Sequence, residues 1–339
     1  MKILFYGASV VQQGTTIDGD LVGFVDNLRV LLKQHELTKN ILAHKRGYGS
    51  NHIDDAGLIQ LEEIWAEDPD LVFLEWHSTY KSEFDERKYR FIIDEITKRN
   101  IKVINLILPK KSQVGKPEQK KILQTRGYQE KFDIPMINLY RQVEDGTIDL
   151  NSCLRDDVHT NPTGGAKYAK VIFDFVLSIV NGEGISEDKG DFILPYEGNR
   201  DLVVSKFDLS AEINEESSLI IRTRPTERYD IFAKVECGPF SPVLITKRCS
   251  EEKIVNIMDS SCYYPRKVFK NICHSVDEVH DYLEIKVDGN KKSETVLKKP
   301  PTVSSSPCRV PILGSIYAVG AEIVSVSVVN SSELGCEIN

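Results

Sequence analysis

The chain has 339 residues, more than one typical domain of roughly 100–200 residues, so its length favours two domains. Its composition, with 41% hydrophobic and 28% charged residues, is ordinary for a globular protein. The 51 acidic and 43 basic residues give a net charge of −8, which argues against a general nucleic-acid binder because such proteins need a basic surface.

The first 185 residues alternate short apolar runs with amphipathic stretches. Runs rich in Ile, Leu, Val and Phe are typical of strands buried on both faces of a parallel sheet, and they cover 2–6, 41–44, 70–76, 101–108 and 134–139. Helical spacing of apolar residues predicts helices at 21–32, 53–65, 85–99, 117–131 and 163–180. The alternation predicts a three-layer α/β/α, flavodoxin-like domain with a parallel sheet over residues 1–185.

The pattern changes after a small, acidic stretch at 181–189, which is typical of a linker. Apolar residues then alternate with polar ones at 218–224, 228–236, 281–287 and 321–329, as in strands with one buried face. We therefore expect an antiparallel β-sandwich accessory domain over residues 190–339.

The cysteines and the apolar runs suggest a cellular location. The seven cysteines contain no C-x-x-C pair, so we expect reduced, packed thiols and no zinc knuckle, although a disulfide in the second half stays open. No apolar run approaches the roughly 20 residues that span a bilayer, and the N-terminal run is too short for a signal-peptide core. We therefore expect a cytoplasmic protein without a membrane span.

A serine follows the first predicted strand, in the turn Gly7-Ala8-Ser9. Ligands of open α/β sheets bind beyond the carboxyl ends of the strands, and a serine in a tight strand-to-helix turn can present its hydroxyl there. The alternative is that Ser9 only caps the following helix. The stretch contains neither G-x-G-x-x-G nor a P-loop, so a dinucleotide or phosphate site has little support.

A second polar motif, Asp156-Asp157-Val158-His159, precedes the last predicted helix of this domain. A carboxylate three residues before a histidine can accept its Nδ1 proton, which leaves Nε2 to take a proton from a nucleophile. The alternative is a capping loop with His159 on the surface. Because both motifs belong at the same edge of the sheet, their joint occurrence favours a relay of Ser9, His159 and Asp156.

With these motifs in this order, residues 1 to about 182 resemble the SGNH/GDSL hydrolase family. The first family block corresponds to Gly7-Ala8-Ser9, and the last block, Asp-x-x-His followed by Asn and Gly, corresponds to Asp156, His159, Asn161 and Gly164. The second block supplies a backbone N–H to the oxyanion. Residues 46–51 occupy its place, with Gly49 as the best counterpart and Gly47 and Ser50 as alternatives.

The third block departs from the family pattern. The family usually has Gly-x-Asn-Asp after the third strand, and the Asn side chain is an oxyanion donor. Here the strand ends in Leu-Glu-Trp-His-Ser-Thr-Tyr, residues 74–80, and Thr79 takes the Asn position. Losing such a donor typically costs roughly 10²–10³ in rate, so Thr79, Ser78 or His77 replaces it or the activity is slow or specialised.

The resemblance implies a serine esterase that acts without metal or cofactor on a small acyl group, most simply acetyl on a carbohydrate. Ser9 is then the nucleophile, His159 the base and Asp156 its orienting group, with the N–H groups of Ser9 and Gly49 and the Thr79 side chain around the oxyanion. His77, Ser78, Asn51 and Asn161 are the remaining pocket candidates. An O-acyltransferase and a non-catalytic binding scaffold are the alternatives, and homo-oligomerisation stays open.

Several other residues have simpler interpretations. His77 is as easily a packed histidine as a metal ligand, and Arg46 is a natural ion partner for Glu75. His274 and His280, among acidic residues, are more typical of a solvated loop than of a metal site. The basic cluster after the fourth strand indicates mainly a solvated helix face: Lys110, Lys111, Lys116, Lys120 and Lys121. Tyr263 and Tyr264 could stack on sugars but are more typical of a packed core.

Overall fold

The computed structural model describes residues 1–16, 18–132, 134–183, 202–248, 251–273, 282–304 and 309–330. The chain divides into two compact units, Met1–Asn199 and Arg200–Asn339. The predicted boundary between residues 185 and 190 falls on residues outside the described ranges.

The first unit contains a parallel sheet with strand order β2-β1-β3-β4-β5. Its strands are β1 (Lys2–Ala8), β2 (Leu42–Tyr48), β3 (Leu71–Glu75), β4 (Lys102–Ile107) and β5 (Met136–Asn138). All the strands predicted from the apolar runs of this unit are therefore present. Because β1 lies between β2 and β3, Ser9 follows a strand near the middle of the sheet.

Helices cover both faces of this sheet. In chain order they are α1 (Ser9–Gln12), α2 (Phe24–Gln34), α3 (Leu61–Glu67), α4 (Glu86–Thr97), α5 (Lys120–Phe132), α6 (Tyr140–Glu144), α7 (Leu150–Cys153) and α8 (Pro162–Val180). A π-helical turn (Ile53–Gly57) and a 3₁₀ turn (Lys111–Gln113) join them. The helix predicted at 53–65 is thus divided into the π turn and α3. The π turn lets the hydroxyl of Tyr6 donate to the carbonyl oxygens of Ala56 and Gly57.

Side chains point alternately to the two faces of the sheet, so one apolar core forms on each face. Phe5 and Phe73 stack with ring centroids 4.7 Å apart and lie in the cluster that contains the apolar faces of α2 and α8. Tyr6 points to the opposite face and meets Trp76 edge to face. The three-layer α/β/α prediction is confirmed.

The second unit is an antiparallel sheet, as predicted. Within the described residues its path is β10-β9-β12-β8-β13-β6, with β11 beside β8 and β7 beside β13. The strands are β6 (Val204–Asp208), β7 (Ala211–Asn214), β8 (Ser217–Cys237), β9 (Pro242–Arg248), β10 (Glu251–Val255), β11 (Arg266–Cys273), β12 (Tyr282–Lys292) and β13 (Arg309–Asn330). The segments predicted at 218–224 and 228–236 are one long strand, β8.

The long strands β8 and β13 pair along most of their length, with shifts of register that bend the sheet. One apolar cluster contains residues from both ends of β8, including Leu219 and Val235, so the two halves of the curved sheet share a core. Cys153, Cys237, Cys262 and Cys273 are buried, whereas Cys249, Cys308 and Cys336 lie outside the described residues. Across the described residues, no helix is long and apolar enough to cross a membrane.

Candidate active site

Ser9, His159 and Asp156 form a continuous chain of hydrogen bonds at the carboxyl edge of the parallel sheet. The Oγ atom of Ser9 lies 2.9 Å from Nε2 of His159. On the other side of the ring, Nδ1 lies 2.9 and 3.0 Å from the two carboxylate oxygens of Asp156. An acceptor at Nδ1 fixes the proton there, so Nε2 is left to accept from the hydroxyl.

The turn around Asp156 holds this carboxylate in its ionised form. Oδ1 of Asp156 accepts the backbone N–H groups of His159 at 2.8 Å and Val158 at 3.0 Å. Partial burial opposes ionisation, but these N–H bonds and the neighbouring imidazole outweigh it and hold the pKa of Asp156 below its usual value. The carboxylate can therefore stabilise a positive imidazole.

A glutamine that the sequence did not single out joins the loop of Ser9 to the loop of His159. The buried amide of Gln13 pairs with the backbone of Thr160: its Nε2 donates to the Thr160 carbonyl and its Oε1 accepts the Thr160 N–H, both at 3.1 Å. Gln13 follows α1, and Thr160 follows His159 directly. This pair fixes the separation between the segment that carries Ser9 and the segment that carries His159.

The His159 loop is also fixed on its other side, by Asp157. Its carboxylate accepts the N–H of Ser112 at 2.7 Å and the Ser112 hydroxyl at 2.8 Å. Its carbonyl accepts the N–H of Lys111 at 3.0 Å. The two adjacent aspartates thus have separate tasks, since Asp156 contacts the imidazole and Asp157 contacts the loop after β4.

Gly49 lies beside Ser9, as its position in the sequence predicts. A Cβ atom placed on Gly49 would lie 3.8 Å from Cβ of Ser9. The side chain of Asn51 donates to the Gly49 carbonyl at 2.7 Å and so holds this loop. The alternative Gly47 instead packs on the backbone of Gln12, since a Cβ there would lie 2.4 Å from the Gln12 nitrogen.

The turn after β3, residues 76–80, lies where the resemblance to the SGNH pattern places the third block, and it is buried up to Thr79. The Thr79 hydroxyl donates to the carbonyl of Trp76 at 2.9 Å, so its proton is engaged within the turn. Ser78 donates its N–H and its hydroxyl to the carboxylate of Glu75, both at 3.1 Å. Burial raises the pKa of Glu75 to about 7, against the effect of the Ser78 hydrogen bonds and the charge of Lys121.

Two predicted pocket residues have partners away from the triad. Nε2 of His77 lies 2.8 Å from the hydroxyl of Thr125 on α5, and the ring is buried. Asn161 is the N-cap of α8: its Oδ1 accepts the N–H of Gly164 at 3.0 Å, and its Nδ2 donates to the Ser152 carbonyl at 2.8 Å. The structure therefore brings Ser9, His159, Asp156 and Gly49 together and leaves these two side chains in structural contacts.

Of two sequence-based interpretations of charged residues, one was wrong in part and the other wholly. In the lysine cluster, Lys116 and Lys120 are exposed as expected, but Lys110 and Lys121 are buried, and their amino groups donate to the carbonyl of Thr79 at 3.1 and 2.8 Å. Burial and the charge of Lys110 lower the pKa of Lys121 to about 7. Arg46 pairs with Glu63 and Glu67 and not with Glu75, because β2 places its side chain toward α3.

The buried imidazole of His77 should make stability depend on pH. Burial, with the nearby charge of Lys121, lowers its pKa from 6.5 to about 3. The unfolded chain binds a proton at His77 below pH 6.5 and the folded chain does not, so His77 destabilises the fold as the pH falls from 6.5 toward 3. In His77→Asn, the urea midpoint should therefore decline less between about pH 6.5 and 4.5 than in the wild type. Parallel pH curves for the two proteins would contradict this expectation.

The described residues do not contain a cluster of three or more His, Cys, Asp or Glu side chains that could hold a metal ion. His274 and His280 lie outside the described ranges. A cavity of about 440 Å³ lies between residues 113–119, α5 and α6, and the triad does not line it. Ser9 and His159 are both partly exposed, and a hydroxyl coupled to a base in this way can attack an ester.

Comparison with known proteins identifies the fold. No family model matches the sequence, and no curated protein matches it either. Among solved structures, a two-domain esterase active on acetylated mannans matches at 14% identity over 93% of this chain and 90% of that one, with a TM-score of 0.61. Its form crystallised with mannopentaose gives a TM-score of 0.63 at 15% identity, with the same coverage. The chain has the two-domain fold of this esterase.

An acetyl xylan esterase aligns at 22% identity with 51% of this chain and 98% of its own, at a TM-score of 0.42. A GDSL-like lipase from Parabacteroides merdae aligns at 16% identity with 54% of this chain and 96% of its own, at a TM-score of 0.40. The two-domain match therefore shows the fold of the first unit and the presence of a second unit.

Proposed function

We propose that this chain is a serine esterase that removes an acetyl group from a carbohydrate. The hydrogen-bonded chain from Ser9 through His159 to Asp156 carries the proposal, because it couples a hydroxyl to a base whose tautomer is fixed. The two-domain fold shared with an esterase active on acetylated mannans supports the substrate class.

The reaction follows from the positions of these groups. Ser9 Oγ attacks the ester carbonyl carbon while its proton passes to Nε2 of His159, and Asp156 stabilises the resulting imidazolium. The negative oxygen of the tetrahedral intermediate accepts hydrogen bonds from the backbone N–H groups of Ser9 and Gly49, of which Ser9 is the first residue of α1. His159 then protonates the leaving sugar oxygen. Water, activated by the same imidazole, finally releases acetate from the acyl-enzyme.

An exposed tyrosine near the site suits a sugar substrate. Tyr80 is 79% exposed, although the three residues before it are buried. Its ring meets the ring of His52 edge to face, with centroids 4.3 Å apart, and His52 follows the loop of Gly49 beside Ser9. An aromatic face held in this way can pack against the apolar face of a sugar ring.

Tyr80→Ala should raise KM for an acetylated oligosaccharide roughly 3- to 10-fold, with kcat little changed, because an aromatic contact is worth about 0.5–1.5 kcal/mol. KM for a small aryl acetate, which has no sugar ring to stack, should stay unchanged. Tyr80→Phe keeps the ring and is the matched control. Equal changes of KM for both substrates would rule out a sugar contact.

The proposed function is tested by labelling and by product analysis. The protein is treated with a fluorophosphonate, and peptide mass spectrometry should place the adduct on Ser9. Acetate release is then measured with acetylated manno- and xylo-oligosaccharides, with and without an excess of unacetylated sugar. Acceptor-dependent formation of a new sugar ester would indicate acyl transfer instead. Absence of both labelling and acetate release would point to a non-catalytic scaffold and overturn the proposal.

A further inference from the structure

Glu75 is a buried carboxylate that the proposed mechanism does not use. It is the last residue of β3, in the centre of the parallel sheet, and its side chain is inaccessible to solvent. Burying a carboxyl group costs free energy unless the group makes compensating hydrogen bonds, so the partners of Glu75 indicate what this residue holds in place.

The hydrogen bonds of Glu75 join two parts of the site. Its backbone pairs with Gly7 at the end of β1, two residues before Ser9. Its carboxylate accepts the N–H and the hydroxyl of Ser78, both at 3.1 Å. One residue therefore links the end of β1 with the turn 76–80, which occupies the place of the third SGNH block.

The far end of this turn is fixed by two buried lysines. Lys110, after β4, and Lys121, on α5, both donate to the carbonyl oxygen of Thr79. Because both amino groups converge on a single backbone oxygen, the turn cannot shift without breaking these buried hydrogen bonds. Glu75 thus links Ser9 to a turn that is itself held in place.

We infer that Glu75 is a positioning residue: its carboxylate sets the orientation of the Ser9 turn relative to the turn 76–80, where this chain lacks the asparagine of the SGNH pattern. The inference rests on the proposed function, since it assigns Glu75 an effect on the reactivity of Ser9. Glu75 touches neither Ser9 Oγ nor the imidazole in the described contacts, so it acts through its strand pairing with Gly7 and through the turn that its carboxylate holds.

The test compares Glu75→Gln with the wild type. Glutamine keeps the shape but replaces one acceptor oxygen with a donor, so the link between the two turns is weakened while the core stays filled. We expect kcat for an aryl acetate and the rate of fluorophosphonate labelling of Ser9 to fall roughly 10- to 100-fold, the range expected from small misplacement of a reacting group. KM should stay within about twofold.

Two further variants separate positioning from general stability. Glu284→Gln alters a buried carboxylate of β12, in the second unit, and should leave both rates unchanged. Ser78→Ala deletes one donor to Glu75 and should lower the labelling rate by a smaller factor, which decides the matter if Glu75→Gln does not fold.

The outcomes distinguish this inference from the proposed function. Wild-type labelling rates in folded Glu75→Gln, or in Ser78→Ala where Glu75→Gln does not fold, would overturn the role of Glu75 alone. A loss of rate that only follows the unfolded fraction, measured by circular dichroism, would overturn it too. Failure of the wild-type protein to label at Ser9 would overturn the proposed function, and this inference with it.

Discussion

Ser9→Ala and His159→Ala are each expected to lower kcat for an acetyl ester by about 10⁴–10⁶, because either change removes the proposed nucleophile or the proposed base of one relay. Ser9 Oγ and His159 Nε2 are 2.9 Å apart, so the two side chains are expected to act as a unit. The double variant should therefore be no slower than the slower single variant. Acetate release under saturating substrate measures these effects. Additive losses in the double variant would show that the two residues act independently.

The adjacent aspartates supply a matched control for this relay. Asp156→Asn leaves the ring of His159 without its ionised acceptor, and kcat should fall by roughly 10²–10⁴. Asp157→Asn alters the same loop but only the contact with Ser112, so kcat should stay within about tenfold of the wild type. Equal losses in the two variants would indicate that loop geometry, and not the imidazole, is affected.

Gly7→Ala should be among the most destabilising single methyl additions in the first unit. Gly7 pairs with Gly47 of β2 and Glu75 of β3 in the centre of the sheet. A Cβ there would lie 2.1 Å from the Glu75 carbonyl oxygen and 2.7 Å from a Val11 methyl group. Because backbone must move to admit it, we expect a loss of at least about 3 kcal/mol in the free energy of unfolding.

The control for this substitution is Gly14→Ala, further along the same segment. Its new methyl group would meet no atom closer than 3.5 Å, an ordinary contact distance. We expect its effect to stay within about 1 kcal/mol in urea unfolding followed by fluorescence. Similar midpoints for the two variants would show that the strands separate more easily than their packing indicates.

The sequence predicted the first unit well because its strands are buried on both faces and are therefore continuous apolar runs. Phe5 and Phe73, for example, can be assigned to strands from these runs alone, without knowing that they are neighbours in the sheet. The second unit was harder, since β8 contains Pro225 and charged residues that divide its pattern into two apparent strands. In the structure, β8 remains one strand through this stretch because it pairs with β13 on both sides of it, with shifts of register.

The triad could be predicted because its residues follow fixed local patterns, a turn after β1 and Asp-x-x-His before α8. The surrounding support could not. Gln13 and Thr160 are 147 positions apart, and no spacing rule pairs them. The burial of Lys121 had one sequence signal, since this residue shares helical spacing with Thr125 and Tyr128, which are both buried. The spacing does not distinguish a buried lysine from one at the edge of the buried helix face. The contact with the Thr79 carbonyl makes that distinction.

The contact between Ser9 and His159 spans 150 positions of the chain. During synthesis, Ser9 leaves the ribosome early, whereas His159 emerges only when almost the whole first unit has been made. A closure of such long range belongs to the late part of folding. The proposed reactivity of Ser9 toward a phosphonate should therefore report completion of this unit: nascent chains that end before α8 should not react, however much of the sheet they have already formed.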